Sequence, residues 1–208
     1  MFLALKEIKH EKLRYGLIIA MIVLISYLIF ILTSLALGLA QENTAAIDGW
    51  KIRSAVLNKD SDVSLRQSLL TTDQVNKLTK DKNNAVIAET SIVAKTKGKA
   101  KQASTFIGLD NSQFISKDLK LTSGHKPEND RQVVVDDSFK QYGYKLNDKL
   151  TINSDSTAYT IVGFTHNAKL NISPIVYGTI PTWQKLRGMG NAFGGSAVVS
   201  KQANIDNS

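Results

Sequence analysis

One long apolar segment, Leu17–Ala40, constrains the fold of this chain more than any other feature. It has 24 residues, none of them charged and none proline, and its polar side chains are those of Ser26, Tyr27, Thr33 and Ser34. As a helix it would be about 36 Å long, which exceeds the hydrocarbon thickness of about 30 Å. Gly38-Leu39-Ala40 resembles a signal cleavage site, but the apolar core of a signal peptide has only about 7–15 residues. The segment therefore predicts a retained transmembrane helix.

The charges that flank this helix predict its orientation. Four basic residues precede it, namely Lys6, Lys9, Lys12 and Arg14. Basic residues next to a membrane span favour the cytoplasmic side, whereas acidic residues have little influence. We therefore expect a cytoplasmic N-terminus and an extracellular position for residues 41–208. Trp50, beyond the outer end, is either an interfacial aromatic residue or part of a domain core.

Composition limits the classes of protein to which the outer part can belong. The chain has no cysteine, which excludes thiolate chemistry and zinc–thiolate sites. About 165 residues are enough to form a packed core without disulfides. The net charge of +8 is spread along the chain, and its densest run, at positions 95, 97, 99 and 101, predicts a solvated hairpin end rather than a nucleic-acid site. Anionic surfaces such as lipid headgroups are the partners that this charge favours.

Short strands with short helices between them predict an α+β domain after the membrane helix. Thr71 and Gln74 have capping-box spacing, so we expect a helix over about 72–80. Asp136 and Asp137 follow a strand of valines and are predicted to cap another short helix. We expect three segments: a cytoplasmic leader (1–16), a transmembrane helix (17–40) and one extracytoplasmic domain (41–208).

No pattern in the sequence predicts an enzyme active site or a metal site. The three histidines, His10, His125 and His166, are far apart and lack metal-ligand spacing. No lysine follows Gly194-Gly195 at the spacing of a phosphate-binding loop. The adjacent carboxylates of Asp136 and Asp137 would point to opposite faces of a strand, which makes them a poor acid–base pair.

The sequence from Gly124 to Leu186 carries a family resemblance. "GHKP" is followed by the strand "QVVVD", the turn "ND", the strand "AYTIVGF" and the strand "PIVY". This order resembles the extracytoplasmic domain of permease subunits in the MacB/FtsX class of ABC transporters. Gln132 stands where that class usually has an acid, and Asn147 replaces a glycine. The leader and the segment "GLAQEN" after the apolar helix resemble, within that class, the haem (hemin) exporter permeases of Gram-positive bacteria.

The resemblance implies a fold, partners and a substrate. The fold would be one transmembrane helix followed by a mixed α/β domain of the MacB periplasmic core type. The partners would be a cytoplasmic ATPase subunit, a second permease subunit in a homodimer, and the lipid membrane, with no nucleic acid. Haem would be the transported substrate and not a cofactor bound by this chain. Such permeases have four transmembrane helices, so we expect this chain to be a fragment; the alternative is a complete, signal-anchored extracellular binding module.

Two sets of residues are candidates for function. Leu5 and Ile8 lie on one apolar face of the leader, which forms either an interfacial anchor or a contact with the ATPase. Four further residues fall close to one face of a continued helix: Tyr27, Ser34, Gly38 and Glu42. This stripe either packs against neighbouring helices, with Glu42 in solvent, or lines a substrate entry site where Glu42, and less directly Tyr27, could ligate haem iron.

Overall fold

The structure is a computed structural model that describes residues 11–166 and 168–205. The side chains of residues 40–45 lie outside that description, as do Leu5, Ile8 and His10. Contacts divide the chain between Gln41 and Glu42 into two compact units. We call the second unit, from Glu42 onward, the sheet domain.

The first helix, α1, is longer than the predicted span at both ends and runs from Lys12 to Trp50. Its apolar part, Lys12–Leu39, is the one helix in the described part of the chain that is long and apolar enough to cross a membrane. Residues 41–50, which we expected to begin the extracytoplasmic domain, continue α1. The helix ends at Lys51, which adopts a left-handed conformation with φ of 54°.

Twelve strands and three further helices are described in the sheet domain. The strands are β1 Ser54–Leu57, β2 Leu70–Thr71, β3 Asn84–Lys95, β4 Gln102–Leu109, β5 Leu121–Gly124, β6 Gln132–Asp136, β7 Lys149–Ile152, β8 Tyr159–Thr165, β9 Lys169–Leu170, β10 Ser173–Thr179, β11 Phe193–Gly195 and β12 Ala197–Ser200. The helices are α2 Thr72–Leu78, α3 Phe114–Asp118 and α4 Ile180–Leu186, with 3₁₀ turns at Lys59–Ser61 and Asp137–Tyr142. The predicted α+β class is confirmed.

Ten of these strands form one mixed sheet, in which eight follow the order β1-β12-β3-β4-β10-β6-β8-β5 and β7 and β9 pair off this path, β9 with β10. β10 runs parallel to β4 and antiparallel to β6, and β6 runs parallel to β8. β7 pairs with the end of β3 on one side and with β8 on the other. Six strands, β3, β4, β10, β6, β8 and β7, therefore form a closed ring of pairings, which protects their edges from other chains.

The sheet separates two apolar cores because successive residues of a strand point to opposite faces. In β6, Val133 and Val135 face one core, and Val134 faces the other. The core inside the closed ring contains Phe106 and Trp183, both fully buried. The core on the opposite face contains residues from the sheet and from the end of α1.

Several local predictions are confirmed. The Thr71 hydroxyl accepts from the Gln74 amide at 3.3 Å and the Gln74 side chain accepts from the Thr71 amide at 2.9 Å, which completes the capping box. Asp136 caps the 3₁₀ turn by accepting from the Ser138 amide at 2.9 Å. The lysine run does form the β3–β4 hairpin end, but Lys99 is not solvated, because its ammonium binds Asp148 and lies 5.4 Å from the Tyr144 ring centroid.

Candidate functional site

Three residues of the predicted stripe on α1, Tyr27, Ser34 and Gly38, are exposed in the structure. Tyr27, Ser34 and Gly38 lie in one continuous helix at spacings of seven and four residues, which places them near one face. Tyr27 is 64% exposed, and a Cβ added at Gly38 would meet nothing within 4 Å. Glu42 follows in the same helix, but its side chain lies outside the described residues. Its role as a ligand stays a prediction.

The end of α1, which belongs to the sheet domain, packs on the sheet, and we call this contact the joint. Ala46 and Trp50 are 3% and 5% exposed and belong to the core on the outer face of the sheet. The Trp50 Nε1 donates to the Tyr177 hydroxyl at 3.1 Å, and the two rings meet edge to face with centroids 6.5 Å apart. Of the two roles considered for Trp50, the structure supports the core residue.

Tyr177 makes this contact from a central position in the sheet. It lies on β10, which pairs with β4 and β6, and its side chain is buried. Burial raises the pKa of the Tyr177 phenol well above its ordinary value, and the nearby Asp136 carboxylate adds to the rise. The phenol therefore stays neutral at physiological pH, where its oxygen accepts the indole hydrogen bond.

Asp136, next to the joint, has a structural role. One carboxylate oxygen accepts from the Ser138 amide at 2.9 Å, and the other accepts from the Ala168 amide at 2.8 Å. The side chain is 3% exposed. Two amide donors satisfy the buried carboxylate and hold the strand β6 against the turn before β9. The predicted capping role is confirmed and extended by this second contact.

An apolar pocket of about 310 Å³ opens beside the joint. The described residues that line it come from the end of α1, from the link between α1 and β1, from β1 and the loop after it, and from β3 and β12. They are Ile47, Trp50, Ile52, Arg53, Ser54, Ala55, Leu57, Val63, Leu65, Ile87 and Val199. Arg53 is the one charged side chain among them.

The histidines of the sheet domain do not form a metal site. His125 Nδ1 lies 2.8 Å from the Lys126 carbonyl oxygen, and His166 lies on the surface 3.7 Å from Asp137. Among the described residues, no group of three histidine, cysteine or acidic side chains could hold a metal ion.

One buried carboxylate, Glu89 on β3, was missed by the sequence analysis. It is 4% exposed, and its nearest ion-pair partner is Arg66 at 3.9 Å. Burial raises the pKa of Glu89, and Arg66 and Arg187 oppose the rise in part. The signal was available, since an acid within a long apolar strand is unusual, but the sequence does not show which loop covers it.

The fold of the sheet domain is that of the extracytoplasmic domains of MacB-type ABC permeases. The periplasmic region of MacB from Actinobacillus actinomycetemcomitans superposes with a TM-score of 0.55 at 16% identity, covering 75% of this chain and 78% of that one. The extracellular domain of the noncanonical ABC-type transporter YknZ from Gram-positive bacteria gives 0.52 at 14% identity, covering 72% and 85%. No family model matches the chain.

Proteins that are similar to this chain in sequence are named as hemin transport permeases. The chain is 31% identical over 179 residues to proteins named as the hemin transport system permease HrtB from two strains of Staphylococcus epidermidis. It is 26% identical over 178 residues to the protein of that name from Staphylococcus haemolyticus. Each match covers 85% of this chain and 49% of the relative, so the chain spans about half the length of the curated relatives it matches. The predicted resemblance to hemin transport permeases of the MacB-like ABC class is confirmed.

Proposed function

We propose that this chain supplies the first membrane helix and the extracytoplasmic domain of a permease subunit in an ABC-type system that exports hemin. The relatives named as hemin transport permeases and the MacB-like fold of the sheet domain support this function. The helix Lys12–Leu39 supplies the membrane span. The permease itself is not the enzyme; ATP hydrolysis belongs to a separate cytoplasmic subunit.

The joint is the observation that carries the proposal. A permease of this kind must pass the motion of a cytoplasmic ATPase to a domain on the other side of the membrane. Here α1 is one helix from Lys12 to Trp50, and its last turn is part of the domain core through Ala46 and Trp50. Packed cores transmit displacement because they have few voids. Movement of the helix end therefore moves the central strand that carries Tyr177.

The subunit pair, the contact with the ATPase and the orientation in the membrane complete the proposal. A pair of permease subunits would associate in the membrane, and each would contact the ATPase from the cytoplasmic side. The leader, with Leu5 and Ile8, is the segment we assign to that contact. The N-terminus lies in the cytoplasm, since four basic residues precede the span. The sheet domain lies outside the cell, and the permease belongs to the membrane of a Gram-positive bacterium.

Cysteine labelling tests this topology directly because the chain has no cysteine of its own. His125→Cys should react with a membrane-impermeant maleimide in intact cells, since the His125 side chain is 54% exposed. Lys9→Cys should react only after the cells are opened. Ile172→Cys, at a second site that is 51% exposed, is a matched control for the domain. The opposite labelling pattern would overturn the orientation, and release of a shorter soluble protein would overturn the membrane anchor.

The stripe on α1 is our proposed entry site for hemin. Ser34 and Gly38 are small enough to allow close approach of a second helix, so the stripe can lie at the seam between two subunits. Glu42 would present a carboxylate at the outer end of that seam. Tyr27 would present a phenol deeper in the membrane, and phenolate oxygen is an established type of haem ligand.

Glu42→Gln in the full-length permease tests this assignment, since it removes the charge and keeps the size of the side chain. A hydrogen bond or ligand contact with a charged group contributes about 1.5–3 kcal/mol, so hemin affinity should fall roughly tenfold to a hundredfold. Soret absorption measures binding, and growth in hemin measures export. Gln41→Asn, a neutral change in the same turn, should leave both unchanged. Wild-type binding and tolerance in Glu42→Gln would reduce the stripe to a packing surface.

A further inference from the structure

The pocket beside the joint has the form of a ligand site. Its floor is the sheet, where Ile87 and Val199 are 0% and 1% exposed. Its walls are half-buried aliphatic side chains from three segments, namely Ile47, Leu57 and Leu65. Small-molecule sites are concave and mostly apolar, with volumes of about 300–1,000 Å³. At about 310 Å³ this pocket can enclose one edge of a large flat ligand.

Arg53 is the one charged residue among the described residues that line the pocket. The Arg53 amide donates to the Ser200 carbonyl oxygen at 2.8 Å, which fixes the backbone of Arg53 beside the edge strand β1. Arg53 is exposed, and no acidic residue is among the described residues that line the pocket. A guanidinium recognises carboxylates through paired hydrogen bonds. The complementary ligand is therefore an apolar body that carries a carboxylate.

The rim of the pocket holds an apolar side chain in solvent. Val63 is 88% exposed, and it has a φ of 59° directly after Asp62 with a φ of 47°. A β-branched residue is rare in this left-handed region, and such strain concentrates at ligand-binding sites. An exposed valine here is suited to contact with an apolar ligand that enters the pocket.

We infer that this pocket binds the edge of a tetrapyrrole carboxylate, with the ring against Ile47 and Leu65 and one carboxylate at Arg53. The inference rests on the proposed hemin-export function, which supplies a flat, apolar, dicarboxylic cargo. The pocket includes Ile47 and Trp50 from the end of α1. Val63 covers the exposed face of the ring.

The types of residue that line this pocket distinguish it from a site that ligates haem iron. None of the described lining residues is a histidine, cysteine, methionine or tyrosine, the side chains that ligate haem iron. Recognition therefore uses the ring and its carboxylates, and the iron makes no bond to the pocket. Protoporphyrin IX without iron should bind as well as hemin does.

The test is a titration in lipid nanodiscs of a chain that carries Glu42→Gln and so lacks the proposed iron ligand of the entry stripe, with empty nanodiscs as the blank. Protoporphyrin IX is followed by its fluorescence and hemin by its Soret band, and we expect dissociation constants within about threefold of each other. Arg53→Gln should raise both constants about three- to fivefold, the effect of losing one partly exposed ion pair. Lys51→Gln removes the same charge outside the pocket and should change them less than twofold.

A second pair of variants tests the rim without disturbing the fold. Val63→Asp places a carboxylate at the rim, and Val63→Asn is its neutral counterpart; both residues tolerate positive φ better than valine does. Because the Val63 side chain is exposed, neither change removes core packing. Val63→Asp should raise the dissociation constant of protoporphyrin IX about tenfold, and Val63→Asn should raise it less.

Three outcomes would overturn the assignment of this pocket as a porphyrin site. Each can be told apart from a failure of the proposed function. If hemin binds the chain that keeps Glu42 but neither porphyrin binds the Glu42→Gln chain, hemin is held by its iron elsewhere and only the pocket fails. If Lys51→Gln weakens binding as much as Arg53→Gln, the effect is general electrostatic attraction. If neither porphyrin binds and Val63→Asp instead changes the oligomeric state, the pocket is covered by a second copy. Hemin tolerance conferred by the full-length permease still decides the proposed function in each case.

Discussion

Replacing Trp50 with alanine should lower the free energy of unfolding of the sheet domain by about 3–5 kcal/mol, the usual cost of deleting a large buried aromatic side chain. Trp50 is 5% exposed and packs edge to face on Tyr177. Its loss also leaves the buried Tyr177 hydroxyl without its indole donor. Urea unfolding can be followed in both proteins by circular dichroism, and in the variant also by the fluorescence of Trp183, the remaining tryptophan, which is fully buried.

A conservative variant separates packing from the hydrogen bond at the joint. Trp50→Phe keeps most of the buried ring and removes the indole donor, so it should cost about 1–3 kcal/mol. Adding Tyr177→Phe to this variant should cost little more, because both partners of the bond are then gone. A loss below about 1 kcal/mol in Trp50→Ala would contradict the placement of the helix end in the domain core.

Gly124→Ala should destabilise the domain by about 2–4 kcal/mol, through backbone strain together with overpacking. Gly124 ends β5 with a φ of 81°, and an added Cβ would lie 2.0 Å from the Val162 carbonyl oxygen and 2.8 Å from the Gly163 Cα. Both contacts are with backbone atoms of β8, which pairs with β5 through a bulge. A side-chain rotation cannot relieve them. The same urea unfolding measures the loss.

Gly98→Ala is the matched control for Gly124→Ala. Gly98 has a similar φ of 76°, but an added Cβ would meet nothing within 4 Å. Its alanine variant should therefore cost only the conformational penalty of about 1–2 kcal/mol. Equal losses in the two variants would show that the contact between β5 and β8 is not close. A larger loss at Gly124 explains why the "GHKP" segment begins with glycine.

Local chemistry explains why much of the fold was predictable from sequence. The apolar segment predicts a helix because its length and lack of charge leave no soluble alternative. The Thr71–Gln74 capping box and the Asp136 cap depend on residues two or three positions apart, so their spacing is visible in the sequence. The strand "QVVVD" has both faces apolar because β6 lies between β10 and β8, with a core on either side.

Contacts between distant residues explain what the sequence could not predict. Trp50 and Tyr177 are 127 residues apart, so an aromatic residue at the membrane edge and one in the core look alike in sequence. The closed ring depends on two short pairings of β7, which has only four residues. The pocket forms because Ile47, Leu65 and Val199 come together in the fold, and no local sequence pattern predicts that they do.

The candidate site was predictable to the extent that it lies along one helix. Tyr27, Ser34 and Gly38 share a face because helical periodicity fixes their directions, and α1 does continue past them. Arg53 and Val63 were not identified because neither is unusual in composition. Their significance comes from a left-handed backbone at Val63 and from the shape of the pocket.

The central claim is that α1 carries motion into the sheet domain through the joint. Insertions between residues 45 and 46 of the full-length permease test it most directly. The measurement is the hemin tolerance that the permease confers together with its ATPase. One insertion has seven alanine-rich helical residues, about two turns, and nearly preserves the helical face. The other has seven glycine and serine residues and is flexible. Both keep Trp50 and displace the domain by comparable amounts. We predict that the helical insertion retains tolerance and the flexible one loses it at equal membrane abundance. Equal tolerance with both insertions would contradict the claim.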